Sequence, residues 1–250
     1  MTRLVAPEVV VHTGPAHGRT DVPFVIIPGL GMSHRYSARL HNTLARTSTV
    51  HSLDLSGFGG VPKPAASRLT VPDYAEAIAR ALDDREVRRA VIIGHSMGAQ
   101  FAVELSRIRP SLPERVVLAA PVVDPRRRTA RHQTLDLLHD LFLEPAPTVG
   151  LVTGDYVRTG PRWFFTELRS MLEYRIVDEV GAVTCPVLVV RGEHDPIARR
   201  AFCEELAARA VDGELAEIAG AAHVLQHTDP ERFARIVRAF ADIDMQGLPR

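Results

Sequence analysis

Ala90-Val91-Ile92-Ile93-Gly94-His95-Ser96-Met97-Gly98-Ala99 is the stretch whose reading decides the fold. Ala90 to Ile93 read as a buried strand, residues 99–107 as a helix, and a glycine–x–serine–x–glycine turn joins the two. A serine hydroxyl is a poor nucleophile unless a base removes its proton and its oxygen is presented openly. A sharp strand-to-helix turn does the presenting, and glycines two before and two after the serine leave space where side chains would collide. The same turn aims backbone N–H groups at the helix start toward the reaction site, where they can stabilise an oxyanion. The bare pattern arises by chance in roughly one chain in twenty of this composition. Its strand–turn–helix context gives it weight.

Outward from this turn, residues 24–27, 50–55, 116–119 and 187–190 read as further buried strands, with a weaker one at 214–218. Residues 74–82, 99–107, 201–210 and 230–241 carry helical patterns. The last opens on Thr228-Asp229-Pro230-Glu231, either a capping box from Thr228 to Glu231 or an Asp229 cap with Pro230 at the first helical position. Strand and helix alternate, which predicts a mostly parallel sheet with helices on both faces.

Residues 124–181 break the alternation. No comparable strand occurs there. Two amphipathic helices are expected instead, 129–142 presenting Leu135, Leu138 and Phe142, and 162–177 presenting Phe164, Leu168, Met171, Leu172 and Ile176. Between them, residues 144–160 are rich in Pro, Gly and Thr. The expected organisation is one domain, with a core of 1–123 and 182–250 and a helical lid inserted at about 124–181; two ordinary crossover helices are the alternative.

Composition narrows the function. A chain of 250 residues with 46% hydrophobic residues can bury a sizeable core. Lys+Arg and Asp+Glu are equal at 30 each, so no net field draws the chain to nucleic acid or an anionic membrane. Residues 1–11 lack the apolar core of a signal peptide, and no run reaches membrane-spanning length. The two cysteines, Cys185 and Cys203, have no metal-ligand spacing and read as buried thiols. A cytoplasmic protein is expected, with its oligomeric state left open.

Four more landmarks stand in order around the serine turn: Pro28-Gly29-Leu30-Gly31, Asp54-Leu55-Ser56-Gly57-Phe58-Gly59, Gly192-Glu193-His194-Asp195-Pro196 and Gly220-Ala221-Ala222-His223. With them the chain resembles the α/β-hydrolase superfamily from Val22 to about Ala241, the 124–181 segment matching least. The resemblance implies an α/β-hydrolase fold and the chain order nucleophile, acid, histidine. It makes Ser96 the nucleophile, His223 the base and Asp195 the acid that orients it, with Leu30 and Met97 giving backbone N–H groups to an oxyanion hole. Side chains at 30 and 97 are then expected to line the acyl pocket. Pro28 stands where many relatives have histidine, a departure that leaves the N–H of Leu30 intact.

Each role has rivals. His95 is expected to pack under the turn, His227 lies four residues beyond His223, and Asp124 and Glu193 compete with Asp195. Asp54 is expected to cap or brace its own loop. Arg126-Arg127-Arg128 reads as a solvated charge run or as an anion site, and Trp163 and Phe164 as pocket-lining or as lid core.

The implied chemistry is acyl transfer to Ser96, then hydrolysis by a water that His223 activates, on a small carboxylic ester or lactone. A serine nucleophile excludes the dehalogenases and epoxide hydrolases of the superfamily, which need a carboxylate. Carbon–carbon cleavage of diketone-like substrates is the alternative, although Val224 follows His223 where such relatives often carry an aromatic residue. A non-catalytic ligand receptor of the same fold is a third reading. No dinucleotide fingerprint or His/Cys cluster is visible, so neither cofactor nor metal is expected. An ordinary imidazole base predicts an acid limb in kcat/KM at about pH 6 to 7.

Overall fold

A computed structural model describes residues 7–14, 22–64 and 68–241. Seven strands form one sheet: β1 (Val9–Thr13), β2 (Phe24–Ile27), β3 (Val50–Leu55), β4 (Ala90–His95), β5 (Pro113–Ala119), β6 (Val187–Gly192) and β7 (Gly213–Ile218). Their spatial order is β1-β3-β2-β4-β5-β6-β7. All neighbours are parallel except β1, which runs antiparallel to β3, with Val9 opposite Leu55 and Thr13 opposite His51. Every residue of β2, β3, β4 and β6 is buried, as a sheet covered on both faces requires.

Ten α-helices accompany the sheet among the described residues: α1 (Ala38–Ala45), α2 (Val71–Asp83), α3 (Met97–Ile108), α4 (Ala130–Leu143), α5 (Ala146–Thr159), α6 (Pro161–Glu173), α7 (Ile176–Glu179), α8 (Arg200–Arg209), α9 (Leu225–Thr228) and α10 (Pro230–Phe240). α1 packs with α9 and α10, whereas α2 packs with α3. α2 starts three residues before the apolar pattern suggests, because Thr70 and Asp73 form a reciprocal capping box around Pro72. At α10 Asp229, not Thr228, is the cap, accepting from the Arg232 N–H at 3.3 Å. None of the helices is long and apolar enough to cross a membrane.

The stretch between β5 and β6 contains no strand among its residues, as expected, but its interior differs from expectation in three ways. Residues 144–160 contain a 14-residue helix, α5. Its buried positions are Thr148, Val152, Asp155 and Thr159, so a mostly polar inner face hides the helical period from an apolar-pattern reading. The expected 162–177 helix breaks at Tyr174 into α6 and the short α7. On α4 the apolar stripe faces outward: Leu135 and Leu138 are 49% exposed and Phe142 is 88% exposed. Gln133, Asp136 and Asp140 are buried instead, because that side of α4 must accept hydrogen bonds from the loops beneath it.

Candidate active site

Ser96 joins β4 to α3 with φ 56° and ψ −121°, a conformation that costs a non-glycine residue about 1–3 kcal/mol. Its surroundings over-determine it. A Cβ on Gly94 would lie 2.2 Å from the Gly98 carbonyl oxygen, and one on Gly98 would lie 2.3 Å from that of Ile27. The Ser96 N–H donates to the Ala119 carbonyl at 2.9 Å. The loop after β2 runs directly against the serine, since a Cβ on Gly29 would stand 2.9 Å from Ser96 Cβ. α5 holds this loop: the N–H and hydroxyl of Ser33 donate to Asp155 Oδ2 at 2.8 and 2.7 Å, and Thr159 donates to the Gly31 carbonyl at 3.0 Å.

His223 approaches from the loop after β7. Its Nε2 lies 3.1 Å from Ser96 Oγ and its Nδ1 2.9 Å from Asp195 Oδ2. The carboxylate accepts at Nδ1, which leaves Nε2 free to take the serine proton. The other oxygen of Asp195 accepts the N–H groups of Ile197 and Ala198 at 2.8 and 2.9 Å. Burial alone would raise the Asp195 carboxyl, but His223 and these two N–H groups hold it below the usual carboxylate range. Burial likewise works against the imidazolium of His223. Asp195 outweighs it, with Asp140 and Glu144 adding, so His223 is pushed up to about 9, above the 6 to 7 of an ordinary imidazole.

The rivals are elsewhere. Asp124 caps the turn at Pro125–Arg127, accepting from the Arg126 N–H at 2.9 Å. Glu193 accepts the Gly220 N–H at 2.8 Å at the base of the histidine loop. His227 lies on α9, where its carbonyl accepts from Arg39 at 3.3 Å. His95 is buried under the turn, edge-on to Tyr36, and its Nε2 lies 3.0 Å from the His223 carbonyl oxygen. Burial, then the nearby His223, pushes His95 down to about 3, so it is neutral.

A cavity of about 160 Å³ opens on Ser96 and His223. Leu30, Val122, Leu137, Val152 and Phe164 give it apolar walls, and no lysine or arginine lines it among the described residues. Phe164 and Leu30 are thus on its lining. Trp163 is not: of its two readings the core one holds, with the side chain buried against Gly57, where a Cβ would meet its indole nitrogen at 2.0 Å. The side chain of Met97 is also outside the lining, packed in the main core. Arg126 pairs with Asp124 and Glu205, Arg127 with Asp136, and Arg128 donates to the carbonyls of Leu172 and Glu173, so the charge run is absorbed by its neighbours.

Three features were missed in the sequence. Asp140 and Glu144 line the cavity and accept N–H groups of the His223 loop; with Asp136 they repeat every four residues along the end of α4, a signal readable as one helical face. Asp155 holds the loop of Leu30. Third, against the expectation of no metal-ligand cluster, His12, His34 and Asp54 converge within 4.8 Å of one another, in a group that could hold a metal ion. Here Asp54 Oδ2 accepts from both imidazoles at 2.8 and 2.7 Å, and Oδ1 accepts the His34 N–H at 2.6 Å, so it ties β1 and the turn at His34 to β3 rather than capping the loop that follows it. The three residues come from β1, a 3₁₀ turn and β3, a convergence that no linear spacing shows.

Residues 24–236 match the model of a family described as the alpha/beta hydrolase family. A putative carbamate hydrolase RutD from a Caulobacter species is 25% identical over 254 residues, covering 92% of this chain and 93% of its own. Among solved structures, an enol-lactonase from Burkholderia xenovorans superposes with a TM-score of 0.80 at 21% identity, covering 96% of this chain and 98% of its own. A thermophilic esterase from Thermogutta terrifontis gives 0.79 at 18% identity, covering 94% and 93%.

Proposed function

The chain belongs to the alpha/beta hydrolase family and is a hydrolase, and from that premise we propose that it cleaves small carboxylic esters or lactones through an acyl-enzyme on Ser96. The observation that carries this reading is the relay of Ser96 Oγ, His223 and Asp195 at 3.1 and 2.9 Å, opening on a small, largely apolar cavity. Ser96 Oγ attacks the acyl carbon while His223 Nε2 takes its proton. The carbonyl oxygen becomes an oxyanion facing the N–H groups of Leu30, in the loop against Ser96, and Met97, the first residue of α3. The imidazolium then gives its proton to the departing alkoxide. In the second half, His223 deprotonates a water that attacks the acyl carbon, and Ser96 leaves with the proton returned. The buried Asp195 carboxylate stabilises the imidazolium in both halves.

In this reading α4, α5 and α6 form the lid, Phe164 contacts the acyl group, and the ligand is a small molecule that needs no cofactor. Two unpaired cysteines fit a reducing compartment such as the cytoplasm.

Carbon–carbon cleavage has no comparable support. It requires polar groups that grip the carbonyl and carboxylate end of the departing enol, and the arginines available for that are outside the cavity. Arg169 is exposed and paired with Glu173, and Arg162 is exposed. A hydrolysis screen over p-nitrophenyl esters of varied acyl length, with lactones and a vinylogous diketone acid in parallel and Ser96→Ala as control, tests the reading. Turnover of short esters or lactones that Ser96→Ala abolishes supports it. Fast cleavage of the diketone acid with inert esters overturns it.

A further inference from the structure

The main chain around His223 is gripped from two directions. Its N–H donates to Asp140 Oδ1 at 3.0 Å, and the next N–H, of Val224, donates to Glu144 Oε1 at 2.7 Å. Its carbonyl oxygen accepts from His95 Nε2 at 3.0 Å. All three gripping side chains are buried. Asp140 lies in the last turn of α4 and Glu144 is the residue that follows the helix, while His95 is the chain neighbour of Ser96.

We propose that Asp140, Glu144 and His95 are positioning residues for the acid–base step, fixing the peptide units on either side of His223 so that its imidazole stays in reach of Ser96. The proposal rests on the roles of Ser96 and His223 given above. It makes α4 part of the machinery rather than a cover over it.

Two considerations separate this from ordinary loop packing. First, a buried carboxylate is an unfavourable acceptor where a neutral amide or carbonyl would serve the same N–H. Two carboxylates are used, beside a cavity without lysine or arginine among its described lining residues; burial raises both, Glu144 to about 7, which is still below the value of about 9 at which His223 titrates. What the charge adds is stronger hydrogen bonds to the two N–H groups and a field that favours the imidazolium formed in the reaction. Around His223 the titratable groups are Asp195 after β6, Asp140 on α4, Glu144 just after α4, and His95 at the end of β4; Tyr36 faces Asp140 and Glu144. Asp140 and Glu144 both raise His223. Second, His95 gives nucleophile and base a bridge besides the Ser96–His223 bond itself. A shift of the elbow carries the His223 carbonyl with it.

Asp140→Asn and Glu144→Gln keep an acceptor oxygen and remove the charge, whereas Asp140→Ala and Glu144→Ala remove both. In a Ser96→Ala background, NMR titration of the His223 ring should show its pKa falling by at least half a unit in the Asp140→Asn/Glu144→Gln double variant. An unmoved pKa overturns the electrostatic part. With Ser96 present, the maximal rate of fluorophosphonate labelling should fall at least tenfold in each alanine variant and in His95→Phe, with reagent affinity unchanged. The amide variants and His95→Gln, which keeps a donor, should recover most of it. Alanine variants that label as fast as the wild type overturn the positioning role. If they fail to fold, the amide variants and the titration decide. A folded wild type that never labels at Ser96 instead removes the nucleophile reading, and the titration judges the clamp by itself.

Discussion

Ser96 Oγ and His223 Nε2 lie 3.1 Å apart although 127 residues separate them. Ser96 follows β4, whereas His223 belongs to the loop after β7, three strands away in the sheet. The loop reaches back by lying directly on β6: a Cβ on Gly192 would sit 2.2 Å from the Ala222 carbonyl oxygen and 2.4 Å from that of Ala221. Both contacts are backbone, so Gly192→Ala must push the loop away. A displacement of about 1 Å at a reacting group can cost about 10²-fold. Gly192→Ala is therefore expected to lower kcat/KM by that order, checked by steady-state kinetics on the best ester. Wild-type kinetics would show that the loop position is not set there.

The acid assignment separates two carboxylates at neighbouring strand ends. Asp195→Asn should lower kcat by about 10⁴-fold, as loss of the carboxylate does in the general Ser-His-Asp case. Asp124→Asn should cost less than about tenfold, because that carboxylate serves a turn and Arg126. The reverse order of effects would move the acid to the end of β5.

The base also fixes a pH dependence. In the proposed mechanism His223 must be neutral to accept the serine proton, and its pKa is raised to about 9. As pH rises through that value the reactive form accumulates, so kcat/KM should climb through pH 8 to 9 instead of levelling at 7. A profile already flat at pH 7, after subtraction of spontaneous hydrolysis, would show that the Asp195 partnership does not govern the resting imidazole.

Glu167 makes a prediction about stability. It is fully buried on α6, its Oε1 accepts the Leu69 N–H at 3.4 Å, and burial chiefly raises it from 4.5 to about 7. Between those values the folded chain holds a proton that the unfolded chain has released, so stability falls as pH rises through the window. Glu167→Gln removes that dependence. It should stabilise by up to roughly 3 kcal/mol at pH 8 and by nothing at pH 4, the free-energy equivalent of the shift. Denaturant melts at the two pH values check it, and an equal effect at both would contradict it.

The parts of the fold that could be read from the chain are those where one residue type has one physical use. The Ala90–His95 run, the glycines around Ser96 and the Gly-Ala-Ala-His loop each admit few conformations, and each lies where its pattern places it. β1 gives no strand signal in the sequence because Val9–Thr13 is a half-buried edge strand without a clear alternation. α5 gives no helical signal because polar residues occupy its buried positions, and the buried face of α4 is opposite its apolar stripe for the related reason that its inner side serves backbone donors. The four-residue spacing of Asp136, Asp140 and Glu144 marks a shared face but not its partners, and the His12–His34–Asp54 group has no spacing at all, because in both cases the contacts span long chain separations. An aromatic residue such as Trp163 suits a pocket or a core equally, and the open backbone of Gly57 gives it a place in the core.

The central claim is that Ser96 is the nucleophile, and the most direct measurement is the site of covalent labelling. Mass spectrometry of the protein treated with a fluorophosphonate should place one adduct on the peptide containing Ser96. Ser96→Ala should take up no label and lose at least about 10³-fold in turnover of a short p-nitrophenyl ester while melting at the wild-type temperature. An adduct on another serine, with Ser96→Ala hydrolysing the ester at the wild-type rate, would contradict the account.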